Sequence, residues 1–304
     1  MSTEPISARW IAADWGTSNL RVRALDAVGR VLAEAASDDG MGNLAPEGFE
    51  PALLRLVDPW LGPGITPVLA AGMVGARQGW IEAPYRAVPC PPLAPGHLTR
   101  APARTPRIAV YIAPGLSQTR PADVMRGEET QIAGALALRP GFDGVCCLPG
   151  THCKWAHVSA DEVVSFQTFL TGELFALIAQ QSVLRHSLGG DDTPDDAAFD
   201  EALCDALSRS ERVAARLFSI RAESLLSGLT PAVARGRLSG LLIGMELAAA
   251  RPYWLGQPVL LIGSAALCAA YARALALQGN PAEILAAADC TLAGLSTLLP
   301  GLLP

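Results

Sequence analysis

Ile11-Ala-Ala-Asp14-Trp-Gly16-Thr17 decides how this chain is read. An apolar run ends at a single acid and a Gly-Thr turn follows. Leu20-Arg-Val22-Arg-Ala24 then alternates apolar and polar side chains in the manner of a returning strand. The layout comes back half a chain later. Gly144-Val-Cys-Cys-Leu148 runs into Pro149-Gly150-Thr151, and Lys154-Trp-Ala-His-Val158 returns. Two β-hairpins with Gly-Thr near each tip imply two similar lobes. Facing hairpins of this kind can hold a polyphosphate. Glycine lets the backbone approach closely, and free amides and threonine hydroxyls donate to anionic oxygens.

Working outward, each hairpin leads to a third strand, over 30–35 and 163–168. In the first half a helix over 50–61 and a buried strand over 67–71 come next. A glycine-rich polar loop (73–80), a proline-rich irregular stretch (84–107) and a strand (107–113) follow, and a helix opens at Arg126-Gly127-Glu128-Glu129. In the second half, 189–196 reads as a solvated acidic loop and 197–250 as helices. A strand over 258–262 ends at Gly263-Ser264, a helix over 265–277 has Ser264 as its N-cap, and a last strand (283–287) and helix close the chain. Strands first, then alternating strand and helix, occurring twice, predict an α/β protein with mixed sheets flanked by helices. The expected lobes are 1–138 and 139–304.

At 304 residues and half hydrophobic, the chain can bury a substantial core. A net charge of −6 argues against a nucleic-acid partner, which needs a basic stripe. Residues 1–9 lack an apolar signal core. No uncharged apolar run reaches the roughly 18 residues of a membrane span. The longest candidate, 238–250, is interrupted by Glu246 and reads as a buried helix. Seven scattered cysteines fit a reducing, cytoplasmic setting.

Neither a G-x-x-x-x-G-K-[ST] loop nor a G-x-G-x-x-G turn is present, so phosphate handling falls to the hairpins. Asp14, leaving its strand at a Gly-Thr turn, is placed either to hold Mg²⁺ through water or to cap its own turn. Gly150 and Thr151, with His152 and Lys154, are placed to meet β- and γ-phosphates, Lys154 neutralising developing charge; the plainer reading is a turn with a surface lysine. Cys146, Cys147, His152 and Cys153 lack the paired spacing of structural zinc, and buried strand cysteines are the simpler reading. Glu128 and Glu129 open a helix, where a carboxylate suits the helix dipole or takes a proton from a substrate hydroxyl. Arg77, Gln78, Trp80 and Tyr85 form a polar and aromatic set in one loop, a guanidinium fitting a carboxylate and an aromatic face fitting a sugar chain. The alternative is a surface loop with a packed tryptophan. Thr171-Gly172-Glu173, at another strand-to-helix junction, adds polar contacts.

Several segments carry a resemblance. Asp14-Trp-Gly-Thr-Ser-Asn-Leu-Arg21 resembles the first phosphate motif of the sugar-kinase branch of the actin/hexokinase/Hsp70-like superfamily. Leu148-Pro-Gly-Thr-His-Cys-Lys-Trp155 resembles its second, and Gly263-Ser264-Ala265 its adenosine motif. Together with Ala71-Gly-Met-Val-Gly-Ala-Arg-Gln-Gly-Trp80, Met125-Arg-Gly-Glu-Glu-Thr-Gln131, Phe169-Leu-Thr-Gly-Glu-Leu-Phe175 and Leu238-Ser-Gly-Leu-Leu-Ile-Gly244, they resemble the 2-dehydro-3-deoxygalactonokinase family along nearly the whole chain. The resemblance implies two ribonuclease-H-like lobes with a nucleotide in the cleft between them. It also implies ATP- and Mg²⁺-dependent phosphorylation of the 6-hydroxyl of 2-dehydro-3-deoxygalactonate in galactonate breakdown. On this reading Asp14 positions the metal. Gly16, Thr17, Ser18, Gly150, Thr151, Lys154, Gly263 and Ser264 hold the nucleotide. Arg77, Gln78, Trp80, Tyr85, Arg126, Thr171 and Glu173 hold the sugar acid. Many related sugar kinases carry aspartate where this chain has Glu128-Glu129, which leaves open which glutamate is the base, or whether either is, with Glu128 the first choice. The alternatives are a kinase of another sugar, polyol or sugar acid on this fold, and a non-catalytic nucleotide or sugar-acid sensor. The Ala/Leu-rich helices of 197–250 could form a homodimer face.

Overall fold

The computed structural model describes residues 6–189 and 193–301; part of the acidic segment 189–196 therefore lies outside the described residues. Strands β1 (Trp10–Trp15), β2 (Leu20–Leu25) and β3 (Val31–Ser37) lead into helix α1 (Phe49–Val57). Next come β4 (Thr66–Gly72), β5 (Tyr85–Ala87), β6 (Thr99–Arg100), β7 (Ile108–Ile112), β8 (Gly115–Thr119), β9 (Ala122–Met125) and α2 (Glu128–Leu138). The second run comprises β10 (Gly144–Leu148), β11 (Cys153–Ser159), β12 (Glu162–Phe169), α3 (Thr171–Gln181), α4 (Asp196–Ser208), α5 (Val213–Leu226), α6 (Pro231–Ala249) and α7 (Arg251–Trp254). It closes with β13 (Val259–Gly263), α8 (Ala265–Ala276), β14 (Glu283–Ala286) and α9 (Ala287–Ser296).

Contacts divide the chain into two units. The first holds Met1–Phe142, Ser159–Ser165 and Ala287–Pro304; the second holds Asp143–Val158 and Phe166–Ala286. The division differs from a single boundary at 138/139, because α9 packs along α2 in the first unit. At that crossing Gly134 and Gly294 let the helices approach until a Cβ on either would strike the other helix's backbone.

The two principal sheets share one plan. The first runs β3-β2-β1-β4-β7-β6 and the second β12-β11-β10-β13-β14. In each, the opening hairpin is antiparallel (β1 with β2, β10 with β11) and its first strand pairs in parallel with a later one (β4, β13). Strand alternation sorts the side chains by face. Ile11, Ala13 and Trp15 pack under α1 with Phe49 and Leu53, whereas Trp10 and Ala12 face a second core with Leu69, Ala133, Leu295 and Leu298. In the second unit Val145, Cys147, Cys153 and Trp155 pack against Phe199, Leu247 and Tyr271.

The proline-rich stretch holds more order than its composition shows. β5 pairs with β8 and β8 with β9 in a small separate sheet. On α6, Gly236, Gly240 and Gly244 recur every four residues and lie directly against backbone carbonyls of Asp195, Phe199 and Leu203. That face of the 197–250 segment is thus consumed inside the unit by α4. No helix among the described residues is long and apolar enough to cross a membrane.

Candidate functional site

In the first unit, three segments meet where β1 and β4 end and α2 begins. Ligands of open α/β sheets gather at such carboxyl ends of parallel strands. Gly72 has φ +94°, and a Cβ there would sit 2.7 Å from the Trp15 carbonyl. Gly127 has φ +101°, and its Cβ position is 3.3 Å from Gly72 Cα. Both junctions therefore need glycine. The first hairpin tip is braced from behind: Met41 N donates to Gly16 O at 2.9 Å and Gly42 N to Thr17 O at 2.8 Å. Thr17 and Ser18 are exposed, and their amides have no acceptor among the described residues. Asp14 faces Arg21 across the hairpin at 3.5 Å. Burial raises its pKa and the Arg21 charge opposes that rise. A cavity of about 330 Å³ opens beside it, between Asp14, Arg21 and Glu34 on the sheet and Thr291 and Leu292 on α9.

The two glutamates separate clearly. Glu129 is fully buried; its Oε2 accepts from Gly127 N at 2.7 Å and its Oε1 from the Thr130 hydroxyl at 3.0 Å. Desolvation, with the neighbouring Glu128 charge second, pushes its pKa up to about 8. Glu128 is half-buried, and its Oε2 accepts from Arg126 N at 3.1 Å. Only Glu128 offers a carboxylate to solvent-accessible space.

The loop set divides as well. Arg77 and Gln78 are exposed. Trp80 is a core residue: its ring stacks on Phe49 at 6.2 Å and meets Trp15 edge-on. The packed-tryptophan alternative is what the structure holds there. Tyr85 stands on β5 rather than in the loop, 42% exposed, with the Arg126 guanidinium 4.4 Å from its ring centre.

In the second unit three backbone features converge. The tip 149–152 lies between the starts of α3 and α8. Glu173 N donates to Thr151 O at 2.9 Å, Gly172 lies flat against the Gly150 carbonyl, and the Cβ position of Gly263 is 3.1 Å from Pro149 O. Ser264 stands at the N-cap of α8, but its side chain makes no capping bond; neither does Leu170 at α3. Two helix N-termini without side-chain caps, and Gly150 and Thr151 amides with no backbone acceptor among the described residues, are chemically suited to an anion. Space above Gly150 is open: a Cβ there would meet nothing within 4 Å. The fold does not require that glycine, whereas a ligand lying close against the backbone would.

Thr171 and Glu173 belong to this cluster, Glu173 Oε2 lying 2.6 Å from His152 Nε2. Lys154 is buried on β11, and its ammonium donates back to the His152 carbonyl at 3.2 Å, stiffening the tip. A cavity of about 280 Å³ adjoins Gly150 and Thr151. Phe175, Leu242, Ile243 and Leu267 wall it, with Thr151, Thr171, Ser239 and Tyr271 as its polar members. Such a mostly apolar recess with few polar groups suits a flat heterocycle. These wall residues carry no motif of their own in the sequence. Tyr271 is held by a network the sequence did flag, through the lone acid of an apolar run. Buried Glu246 accepts from Tyr271 OH and from Trp155 Nε1, each at 2.7 Å. Cys147 and Cys153 lie in the same core, Sγ atoms 3.9 Å apart, and burial raises both thiol pKa values.

The family model described as 2-keto-3-deoxy-galactonokinase matches residues 14–298. The chain is 40% identical over 304 residues to a protein of Rhizobium meliloti (strain 1021) named as 2-dehydro-3-deoxygalactonokinase DgoK1, covering 97% of this chain and 98% of that one. It is 34% identical over 299 residues to the 2-dehydro-3-deoxygalactonokinase of Escherichia coli (strain K12), covering 96% and 98%. A crystal structure from Sinorhizobium meliloti, assigned to the same enzyme, superposes with a TM-score of 0.87 at 39% identity over 97% of both chains. The (R)-2-hydroxyglutaryl-CoA dehydratase component A of Acidaminococcus fermentans shares the fold alone, with a TM-score of 0.51 at 11% identity over 96% of this chain and 98% of that one. The chain belongs to the 2-keto-3-deoxy-galactonokinase family, within the sugar-kinase branch of the actin-like superfamily.

Proposed function

We propose that this protein is an ATP-dependent kinase that phosphorylates the 6-hydroxyl of 2-dehydro-3-deoxy-D-galactonate, and that it works in the cytoplasm on galactonate breakdown. The observation that carries the reading is the convergence in the second unit of the 149–152 tip, two helix N-termini without side-chain caps and an apolar cavity. Such a surface takes a polyphosphate and a base side by side. The adenine enters the recess walled by Leu242, Ile243 and Leu267, and the phosphates lie along Gly150, Thr151 and Ser264. In this reading Gly16, Thr17 and Ser18 of the first hairpin are phosphate-binding residues as well, Thr17 and Ser18 standing exposed.

The residues present also fit Mg²⁺. Asp14 is a carboxylate whose ionised form burial disfavours, so a cation beside it is welcome. Among the described residues no cluster of three or more ligating side chains surrounds it. Mg²⁺ keeps several waters and takes few carboxylates, so one protein carboxylate can serve it. Bound there with ATP, Mg²⁺ would neutralise charge on the phosphates.

In the transfer, the substrate's 6-oxygen forms a bond to the γ-phosphorus as the bond to the ADP oxygen breaks. The hydroxyl proton passes to Glu128, whose carboxylate is the accessible one. Positioning matters more than base strength here, because the transition state is loose. The test is ADP release from MgATP across a panel of 2-dehydro-3-deoxy sugar acids, neutral sugars and polyols. Turnover confined to the keto-deoxy acids, lost by at least roughly 100-fold in Glu128→Gln with ATP affinity retained, supports the reading. ATP binding with no turnover of any acceptor would instead mark a nucleotide sensor.

A further inference from the structure

Arg126 is 9% exposed, and its guanidinium is poorly served for a buried cation. Nη2 donates to the Ala83 carbonyl at 2.7 Å, and the Tyr85 ring covers one face. Nε and Nη1 have no hydrogen-bond partner, and among the described residues the side chain has no ion pair. Nη1 lies over Gly75, 2.9 Å from where a Cβ would stand, so the glycine makes the room the guanidinium fills. A buried charge without a counter-ion is unfavourable, and an apolar residue of similar volume would serve the fold at least as well. What would repay an arginine here is an anion that arrives from outside.

Its place says which anion. Arg126 precedes Gly127 and Glu128, so it stands two residues from the accessible carboxylate. The chain turns sharply at Gly127 and the Glu128 carboxylate accepts from the Arg126 amide at 3.1 Å, so both side chains leave the same junction. A substrate whose terminal hydroxyl meets Glu128 carries its other end toward Arg126. Planar carboxylates are the anions a guanidinium recognises best. We infer that Arg126 is the residue by which this protein selects acidic over neutral sugars, its unpartnered N–H groups taking the substrate carboxylate as the exposed Tyr85 ring moves aside. The inference rests on the kinase reading for the substrate's orientation, and it assigns the carboxylate to Arg126 rather than to the exposed Arg77.

Arg126→Met, Arg126→Lys and Arg77→Met separate the possibilities. Melting temperature is read first, then acid affinity by calorimetry without ATP, then KM and kcat for the acid and for its C1 carboxamide. Arg126→Met is expected to melt at or above the wild-type temperature, because it removes an unpaired buried charge. It is also expected to weaken acid binding on the order of 100-fold, leave the KM for ATP within about twofold, and erase the preference for acid over amide. Arg126→Lys keeps the charge without the fork and is expected to bind the acid on the order of 10-fold more weakly than wild type. Wild-type acid affinity in Arg126→Met, or the loss of acid preference in Arg77→Met instead, overturns the assignment. So does an Arg126→Met protein that fails to fold while Arg126→Lys binds the acid as wild type does, since that pattern belongs to a structural arginine. Should the wild type turn over no sugar acid, the kinase reading fails, and the calorimetric comparison still judges Arg126.

Discussion

Glu128 and Glu129 are adjacent acids with one local sequence context, and the fold gives them different chemistry. Helical phase turns Glu129 inward, and the positive φ of Gly127 brings that residue's amide over the buried carboxylate. A carboxyl whose folded pKa of about 8 lies above its ordinary 4.5 is favoured in its protonated form. Its contribution to stability is complete below pH 4.5 and is lost as pH rises through 8. Glu129→Gln stays neutral at every pH and still offers an oxygen to Gly127. It should exceed the wild type in urea unfolding by on the order of 3–5 kcal/mol at pH 9 and by less than about 1 kcal/mol at pH 5. An equal difference at both pH values would show that the glutamate is not titrating where its burial places it. The sequence marks the pair as an acid-bearing helix start; it does not reveal which member the core encloses, because that depends on what packs above the helix.

At the scale of elements, α6 does two jobs. Its glycine stripe seats α4, and Glu246, from the same helix, ties together the returning strand of the second hairpin and the helix after Gly263-Ser264. Trp155 and Tyr271 both donate to this carboxylate, so an amide can satisfy only one of them well. Glu246→Gln should cost on the order of 2 kcal/mol in denaturant unfolding. It should raise KM for ATP while leaving KM for the sugar acid unchanged, since Tyr271 lines the apolar cavity. A rise in both KM values alike would mean that the network does not act through that cavity. The apolar run broken by one acid is legible in the sequence as a buried helix with something to hold. Its partners are 91 and 25 residues distant along the chain, beyond any local pattern.

At the scale of the molecule, the chain passes between its two units four times, at 142/143, 158/159, 165/166 and 286/287. α9 and the turn after it supply Leu295 and Leu298 to a core that also holds Trp10, Ala12, Leu69 and Ala71 of the first strands. A fragment of residues 1–138 leaves that face of the sheet bare and should lack a cooperative urea transition and a near-UV circular dichroism signal. Joining residues 287–304 to it through a flexible linker should restore both. A cooperative transition in the bare fragment would show that α9 is dispensable to that core.

The sequence by itself determined the kinds of element and the two matching hairpins. Strand alternation, Gly-Thr turns and helix periodicity are local, and the same strand–turn–strand pattern at 11–24 and 144–158 yields the same sheet plan twice. It also placed Gly150, Thr151, Gly263 and Ser264 at strand ends, where backbone amides face outward. Only the tertiary structure decided that Trp80 belongs to the core, that Glu129 is sealed and Glu128 accessible, that Arg126 is buried without a counter-ion among the described residues, and that Phe175, Leu242 and Leu267 wall one cavity. Each of these follows from contacts between residues far apart in the chain, where burial sets the cost of a charge and the neighbours of a ring.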